Sequence, residues 1–92
     1  SDILIEKCRF KNMLAMSLYS NFAKNVTFRD NKIEVSDSPA AKSYAGCALF
    51  ENSENVAFVN NAVCARNPEA IGAFICDTQN AVVAGNSAKK AD

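Results

Sequence analysis

The chain has 92 residues, in which ten Lys and Arg balance ten Asp and Glu, and it has no His. A chain of this length forms at most one small domain and buries roughly 60–65% of its unfolded surface. Zero net charge argues against a nucleic-acid partner and against attraction to a membrane through a polybasic patch. No apolar run approaches the roughly 20 residues that span a bilayer, so this segment is not expected to insert into a membrane.

The four cysteines show no metal-binding pattern. No CxxC pair occurs and His is absent, so neither a zinc site nor any other metal or cofactor is expected. Unpaired cysteine packs as a small hydrophobic residue. We therefore predict buried or half-buried free thiols at Cys8, Cys47, Cys64 and Cys76.

One phrase recurs along the chain, with the frame apolar-x-apolar-x-x-Asn-x-apolar. A worn copy spans residues 3–10, where Cys8 takes the place of Asn, and full copies span residues 25–33, 55–63 and 80–88. The Asn position recurs at steps of 30 and 25 residues, at Asn31, Asn61 and Asn86. A period of this size predicts a solenoid.

Each phrase predicts a strand, a bend and a brief further strand. Alternation places Val26 and Phe28 on one face of the first strand, and Phe58 and Val83 are the equivalents of Phe28. We interpret the two Phe residues as stacked core aromatics. Asn, Asp and Gly surround the bend, and stacked Asn amides can form a hydrogen-bonded ladder inside it.

A second apolar stretch lies upstream of each phrase. Ala48 precedes Phe58 by ten residues, and Ala73 precedes Val83 by ten, so both stretches belong to one repeating unit. Alternation places Ala48 with Phe50, and Ala73 with Ile75, on the inward face. The equivalents in the first coil are predicted at Met16 and Leu18.

Chain length varies between the coils, which is expected at a solvent-facing corner of a solenoid. Residues 34–45 predict a long surface loop, and residues 65–70 predict a shorter one. Loops on rigid scaffolds carry recognition. The candidate contact residues are therefore Ser36, Asp37, Ser38 and Lys42.

Together these elements predict an all-β, right-handed parallel β-helix of about four coils with an Asn ladder at one bend. The alternative is a leucine-rich repeat, but the further Leu that such a repeat requires is replaced by Ala23, Ser53 and Thr78. A carbohydrate-active β-helix is a second alternative, because polysaccharide lyases and hydrolases need converging acids and bases. Its best cluster is Glu6, Lys7, Arg29, Asp30, Lys32 and Glu34, which also fits a salt-bridged outer face.

Two short motifs alternate along the chain. FxxN occurs at Phe28 to Asn31 and at Phe58 to Asn61, with a near match at Val83 to Asn86. GGA(I/L/V) is approximated by Gly46-Cys47-Ala48-Leu49 and by Ile71-Gly72-Ala73-Phe74. This alternation resembles the passenger domains of chlamydial polymorphic membrane proteins, which are autotransporter adhesins. The resemblance implies a β-helix in which both motifs are implicated in attachment to host cells.

The expected function is therefore a non-catalytic structural and adhesive module at the cell surface or outer membrane, or secreted, whose partner is a host cell-surface protein or glycan. The carbohydrate-active and leucine-rich readings remain open as alternatives. Residues 1–92 are expected to be a single segment of a longer solenoid, with the signal and anchor outside this sequence. Solenoids need capping elements to shield their terminal coils, so uncapped coils predict end-to-end or edge self-association.

Overall fold

The structure is a computed structural model that describes residues 2–42, 44–65 and 73–90. In these ranges the chain forms short strands joined by tight turns and one longer loop. The strands are β1 (Ile3–Glu6), β2 (Arg9–Met13), β3 (Leu18–Asn21), β4 (Lys24–Arg29), β5 (Lys32–Val35), β6 (Ala48–Glu51), β7 (Glu54–Val59), β8 (Ala62–Ala65), β9 (Ala73–Cys76), β10 (Gln79–Ala84) and β11 (Ser87–Lys90).

The strands form three sheets in which every pairing is parallel. Sheet A has the order β1-β4-β7-β10, sheet B has β2-β5-β8-β11, and sheet C has β3-β6-β9. Each strand pairs with the equivalent strand of the next coil, so the chain winds around a common axis. This is the predicted right-handed parallel β-helix of four coils.

The interior contains a stack of aromatic side chains. Phe28 and Phe58 are directly paired in register, and their ring centroids lie 5.3 Å apart with an interplanar angle of 6°. Phe10 extends the stack at 5.5 Å from Phe28, but it comes from sheet B because Ile5 occupies the equivalent position on sheet A. Val83 ends the stack, because it pairs with Phe58 and is 44% exposed. Aromatic pairs at such separations are stabilising beyond the area that they bury.

The Asn ladder lies at the bend between sheets A and B, as predicted. The side-chain amide of Asn31 donates to Oδ1 of Asn61 at 3.0 Å, and that of Asn61 donates to Oδ1 of Asn86 at 3.2 Å. The same oxygens accept the backbone N–H groups of Asn31 and Asn61 at 3.1 and 2.9 Å. Asn31 and Asn61 are only 1% exposed, so these bonds satisfy polar groups that burial would otherwise penalise.

A left-handed residue precedes each rung of the ladder. Asp30 has a φ of 55°, Asn60 of 53° and Gly85 of 68° at the position before the ladder Asn. Lys7 occupies the same position in the first coil, with a φ of 54°. Asn, Asp and Gly tolerate this conformation better than other residues, which explains their recurrence at the bend.

The corner between sheets C and A is held by hydroxyl groups. Thr78 accepts the backbone N–H of Ser53 at 3.3 Å, and the hydroxyls of Ser20 and Ser53 lie 3.4 Å apart. Residues with positive φ precede the corner here too, at Phe22, Asn52 and Asp77. Ser53 and Thr78, where a leucine-rich repeat would carry Leu, are thus corner residues of the β-helix.

The prediction for the third strand of the first coil is wrong by two residues. Leu18 pairs with Ala48, and Ser20 pairs with Phe50, whereas Met16 precedes the strand. Leu18 therefore precedes Phe28 by the same ten residues that separate Ala48 from Phe58. The pattern of apolar residues misplaced the strand because its second inward position holds a serine, which is 7% exposed.

The predicted burial of the thiols holds for two of the four cysteines. None of the four forms a disulfide bond; Cys47 is buried and Cys64 is half-buried. Burial raises the pKa of the Cys47 thiol. Cys8 and Cys76 are exposed, contrary to prediction, and Cys76 is exposed because it lies on the outward face of sheet C in register with Glu51.

Replacing Asn61 with Ala should destabilise the fold strongly. The Asn61 side chain donates to the Phe28 carbonyl and to Asn86 and accepts two bonds from Asn31. Its loss leaves buried groups unsatisfied, each costing about 1–3 kcal/mol, so a loss of about 3 kcal/mol is expected in urea denaturation. Asn21→Ala is the matched control and should cost under about 0.5 kcal/mol, because Asn21 is exposed. Equal losses in the two variants would refute the structural role of the ladder.

Replacing Cys8 with Asn should stabilise the fold. The backbone N–H of Cys8 already donates to Oδ1 of Asn31 at 3.0 Å, as the ladder residues do in later coils. An amide at this position adds a side-chain bond to the same oxygen, which is worth about 0.5–1 kcal/mol at an exposed site. Cys8→Ser, whose hydroxyl is shorter, is the control. A denaturation midpoint for Cys8→Asn no higher than that for Cys8→Ser would contradict this expectation.

Candidate functional site

The charged cluster of the first two coils does not converge on one site. Glu6 pairs with Arg29 at 2.8 Å on the outer face of sheet A, and Arg9 pairs with Glu34 at 2.6 Å on sheet B. The hydrogen bond from Arg9 lowers the pKa of Glu34, which makes that carboxylate a weaker base. The two ion pairs form a salt-bridged outer face. Glu6 and Glu34 lie on separate sheets, so the two carboxylates do not flank a single scissile bond.

The Phe and Asn residues of the FxxN motif point into the coil. Phe28 and Phe58 are fully buried, and Asn31 and Asn61 are occupied by the ladder. The last copy is less protected because Val83 is exposed, and Asn86 is half-buried. The Phe and Asn residues of the first two copies therefore hold the coil in shape and are not accessible to a partner, whereas the residues between them, such as Arg29 and Asn60, are exposed.

The residues of the GGA-like motif are divided between the interior and the surface. Gly46 is buried with a φ of 92°, and a Cβ there would lie 3.0 Å from Cγ1 of Val63. Ala48 is buried and Ala73 is half-buried, whereas Leu49 lies on the outward face of sheet C and is half-buried. Gly72 lies outside the described residues.

The candidate contact loop begins at Ser36, because β5 continues through Val35. The hydroxyl of Ser36 accepts the N–H of Ser38 at 3.1 Å, so it is engaged within the loop, as is that of Ser38, which accepts the N–H of Ala40. Asp37 and Lys42 are exposed. The backbone N–H of Lys42 donates to the Leu14 carbonyl at 2.9 Å, which anchors the end of the loop on the first coil.

An exposed column of large side chains runs across the outer face of sheet C. Tyr19, Leu49 and Phe74 occupy equivalent positions on β3, β6 and β9. Tyr19 is 60% exposed and Phe74 is 50% exposed. We call these three residues, of which the outer two are aromatic and the middle one is Leu49, the aromatic column. Only the inward positions of these strands were predicted from the sequence. The aromatic column could have been found from the large apolar residue that lies between the two inward positions of each strand.

Polar groups border the aromatic column. Along each strand the next outward residue is Asn21, Glu51 or Cys76, and the corner adds one more residue per coil. The Tyr19 hydroxyl donates to Oε2 of Glu51 at 2.9 Å and accepts from the amide of Asn21 at 3.3 Å. We define the sheet C patch as these nine side chains: Tyr19, Asn21, Phe22, Leu49, Glu51, Asn52, Phe74, Cys76 and Asp77.

The sheet C patch has a negative electrostatic character. It contains Glu51 and Asp77 and no Lys or Arg. The hydrogen bond to Glu51 and its charge raise the pKa of Tyr19. The charge of Asp77, and after it that of Glu51, raises the pKa of the Cys76 thiol. Both shifts disfavour a further negative charge at this face.

A shallow groove of about 480 Å³ adjoins the sheet C patch at the corner between sheets C and A. Its far side carries an ion pair between Lys24 and Glu54, whose Nζ and Oε2 atoms lie 3.6 Å apart. Phe22, which is 80% exposed, also lines the groove. The aromatic column and the groove thus form a continuous exposed surface around this corner.

A second ladder of amides lies outside the coil, along the first residues of sheet A. Asn80 donates to Asn55 at 2.9 Å, Asn55 to Asn25 at 3.1 Å, and Asn25 to Asp2 at 2.7 Å. The three Asn residues have φ values of 57° or 58°. This ladder was not predicted from the sequence, although each full copy of the phrase begins with Asn.

Metal-ligand clusters and membrane-spanning helices are absent from the described ranges. There, no three His, Cys, Asp or Glu side chains are grouped as metal ligands. No helix within the same ranges has the length and hydropathy that are needed to cross a bilayer.

Comparison with known proteins supports the architecture. The family model for the right-handed β-helix region matches residues 1–92. Neither curated proteins nor solved structures give a match to the chain. The family includes both enzymes and non-enzymes, so it leaves the activity open. On the match over the whole sequence, and on the three parallel sheets that wind around one axis, the chain belongs to the right-handed β-helix family.

Proposed function

We propose that the chain is a non-catalytic binding module of a bacterial surface or autotransporter passenger protein, located at the cell surface or outer membrane, that attaches to a host cell-surface protein or glycan. The proposal combines the resemblance of the FxxN and GGA-like motifs with the geometry of the outer faces. The observation that carries it is the aromatic column, Tyr19, Leu49 and Phe74, on the outer face of sheet C.

Large exposed aromatic side chains on a regular sheet are favourable for binding. Tyr and Phe contribute large contact areas and few rotatable bonds, and aromatic residues are enriched in the cores of interfaces. Tyr19 and Phe74 are half or more exposed although they lie within strands. A partner that covers them removes apolar surface from water at about 25 cal/mol per Å².

The scaffold beneath Leu49, the central residue of the aromatic column, is closely packed. Phe50 and Ala48 lie on the opposite side of the same strand and are fully buried. Parallel pairing fixes Leu49 in register with Tyr19 on one side and with Phe74 on the other. Binding therefore costs little ordering of the backbone, and most of the contact energy is available for affinity.

Removing the aromatic side chains should weaken attachment. Beads coated with the chain are expected to bind cultured epithelial cells in a saturable manner that the free chain inhibits. Tyr19→Ser combined with Phe74→Ser should lower attachment by at least about fivefold, because buried aromatic anchors dominate interface energetics. The matched control is Leu4→Ser combined with Val82→Ser, two comparably exposed apolar residues of sheet A. Equal losses in the two double variants, or no attachment by the unaltered chain, would refute the proposal.

The contact loop supplies a separate prediction. Asp37 and Lys42 are its exposed charged residues, and each can pair with a partner group at the rim of an interface. Asp37→Asn combined with Lys42→Gln should lower attachment by about threefold and leave the midpoint of urea denaturation unchanged. Attachment equal to that of the unaltered chain would exclude the loop charges from the contact.

A further inference from the structure

The carboxylates of sheet C differ from those of the other two sheets. On sheets A and B, strand carboxylates pair across coils with a cation: Glu6 with Arg29, Glu54 with Lys24, and Glu34 with Arg9. Among the described residues, neither Glu51 nor Asp77 forms such an ion pair; Glu51 accepts from the Tyr19 hydroxyl, and Asp77 contacts the Cys76 thiol. In the part of the chain that the structure describes, no cation lies within ion-pair distance of these two carboxylates of the sheet C patch, although Lys24 lines the groove that Asp77 also lines.

Aromatic side chains share this face with the two carboxylates. The Glu51 carboxylate accepts a hydrogen bond from the Tyr19 hydroxyl. Phe74 lies one strand further along, in register with Leu49. Phe22 and Asp77 stand at equivalent positions of the same corner, two coils apart. A cation is attracted both to the face of an aromatic ring and to a carboxylate, and a guanidinium group can engage both because it is planar.

The dimensions of the sheet C patch limit its occupant. Three strands spaced about 4.8 Å apart, each four residues long at about 3.3 Å per residue, make a face of roughly 10 by 13 Å. A stable protein–protein interface buries about 800 Å² on each partner, so this face alone is too small for a second copy of the chain. It fits one short extended segment.

We propose that the sheet C patch binds a short segment of a partner protein in which a cationic side chain, preferentially Arg, is flanked by apolar residues. The Arg guanidinium lies between the aromatic rings and the carboxylates of Glu51 and Asp77, and the apolar residues cover Leu49 and the rings. This assignment rests on the proposed binding function and specifies the partner.

The direct test is a nuclear magnetic resonance titration of the ¹⁵N-labelled chain with the peptide acetyl-Gly-Leu-Arg-Leu-Gly-amide. Amide shifts should be confined to β3, β6, β9 and the corner residues Phe22, Asn52 and Asp77. The same peptide with citrulline, a neutral isostere of Arg, should bind about tenfold more weakly. Equal affinities for the two peptides, shifts centred on sheet A or sheet B, or no shifts at millimolar peptide would overturn the proposal.

Variants of the chain locate the charge effect. Glu51→Gln combined with Asp77→Asn should reduce the affinity for the Arg peptide to that for the citrulline peptide. Glu34→Gln, which alters a carboxylate already paired with Arg9 on sheet B, is the control and should leave the affinity within about twofold. Equal losses in the two variants would show that overall charge, rather than the sheet C patch, governs binding and would overturn the proposal.

Two further measurements identify other occupants. Patch resonances that shift with the concentration of the chain alone would indicate a second copy and overturn the proposal. A glucosamine trisaccharide that binds the patch more tightly than the Arg peptide would indicate a glycan and likewise overturn it.

Cell attachment separates the failure of this assignment from the failure of the proposed function. If the Glu51→Gln, Asp77→Asn variant still attaches to cells, the cationic-segment assignment is wrong and the binding module stands. If the unaltered chain binds the Arg peptide at the patch but attaches to no cells, the proposed cell-surface function fails and the peptide assignment stands.

Discussion

The amide ladder at the bend between sheets A and B is the interaction on which the rest of the structure depends. Oδ1 of Asn61 and of Asn86 each accepts both donors of the preceding rung, and the amide of each donates to a backbone carbonyl of the preceding coil, so neighbouring coils stack in one register only. That register places Phe58 directly on Phe28. A one-residue slip would expose the apolar face and leave buried amides without partners. The outer faces of the three sheets inherit this fixed spacing.

The interior of the coil could be predicted from the sequence because stacking repeats the same chemistry at the same position. Asn31 and Asn61, like Phe28 and Phe58, recur in kind, so their spacing reveals both the ladder and the aromatic stack. The third strand of the first coil was misplaced because Ser20 replaces an apolar residue inside the coil. A buried serine satisfied by a neighbouring hydroxyl has no apolar signal in the sequence.

The outer surface was less predictable because outward side chains contact solvent and need not repeat. Glu6 and Arg29 could be paired from the sequence, since opposite charges follow from the register of the repeated phrase. Tyr19, Leu49 and Phe74 share only size and apolar character, and their alignment needs the corrected position of β3. The candidate site therefore emerges only when the register of all three sheets is known.

The first coil also bears on the expected end-to-end self-association. The ladder runs in one direction: Oδ1 of each coil accepts the bend N–H of the coil before it. A second copy stacked on the first coil would present such an N–H to Cys8, whose sulfur is a weak acceptor already close to the Glu6 carbonyl. That junction would lose a rung that every internal junction has. A buried backbone N–H that stays without an acceptor costs about 1–3 kcal/mol, so the chemistry at position 8 bears directly on how well a further coil can stack there.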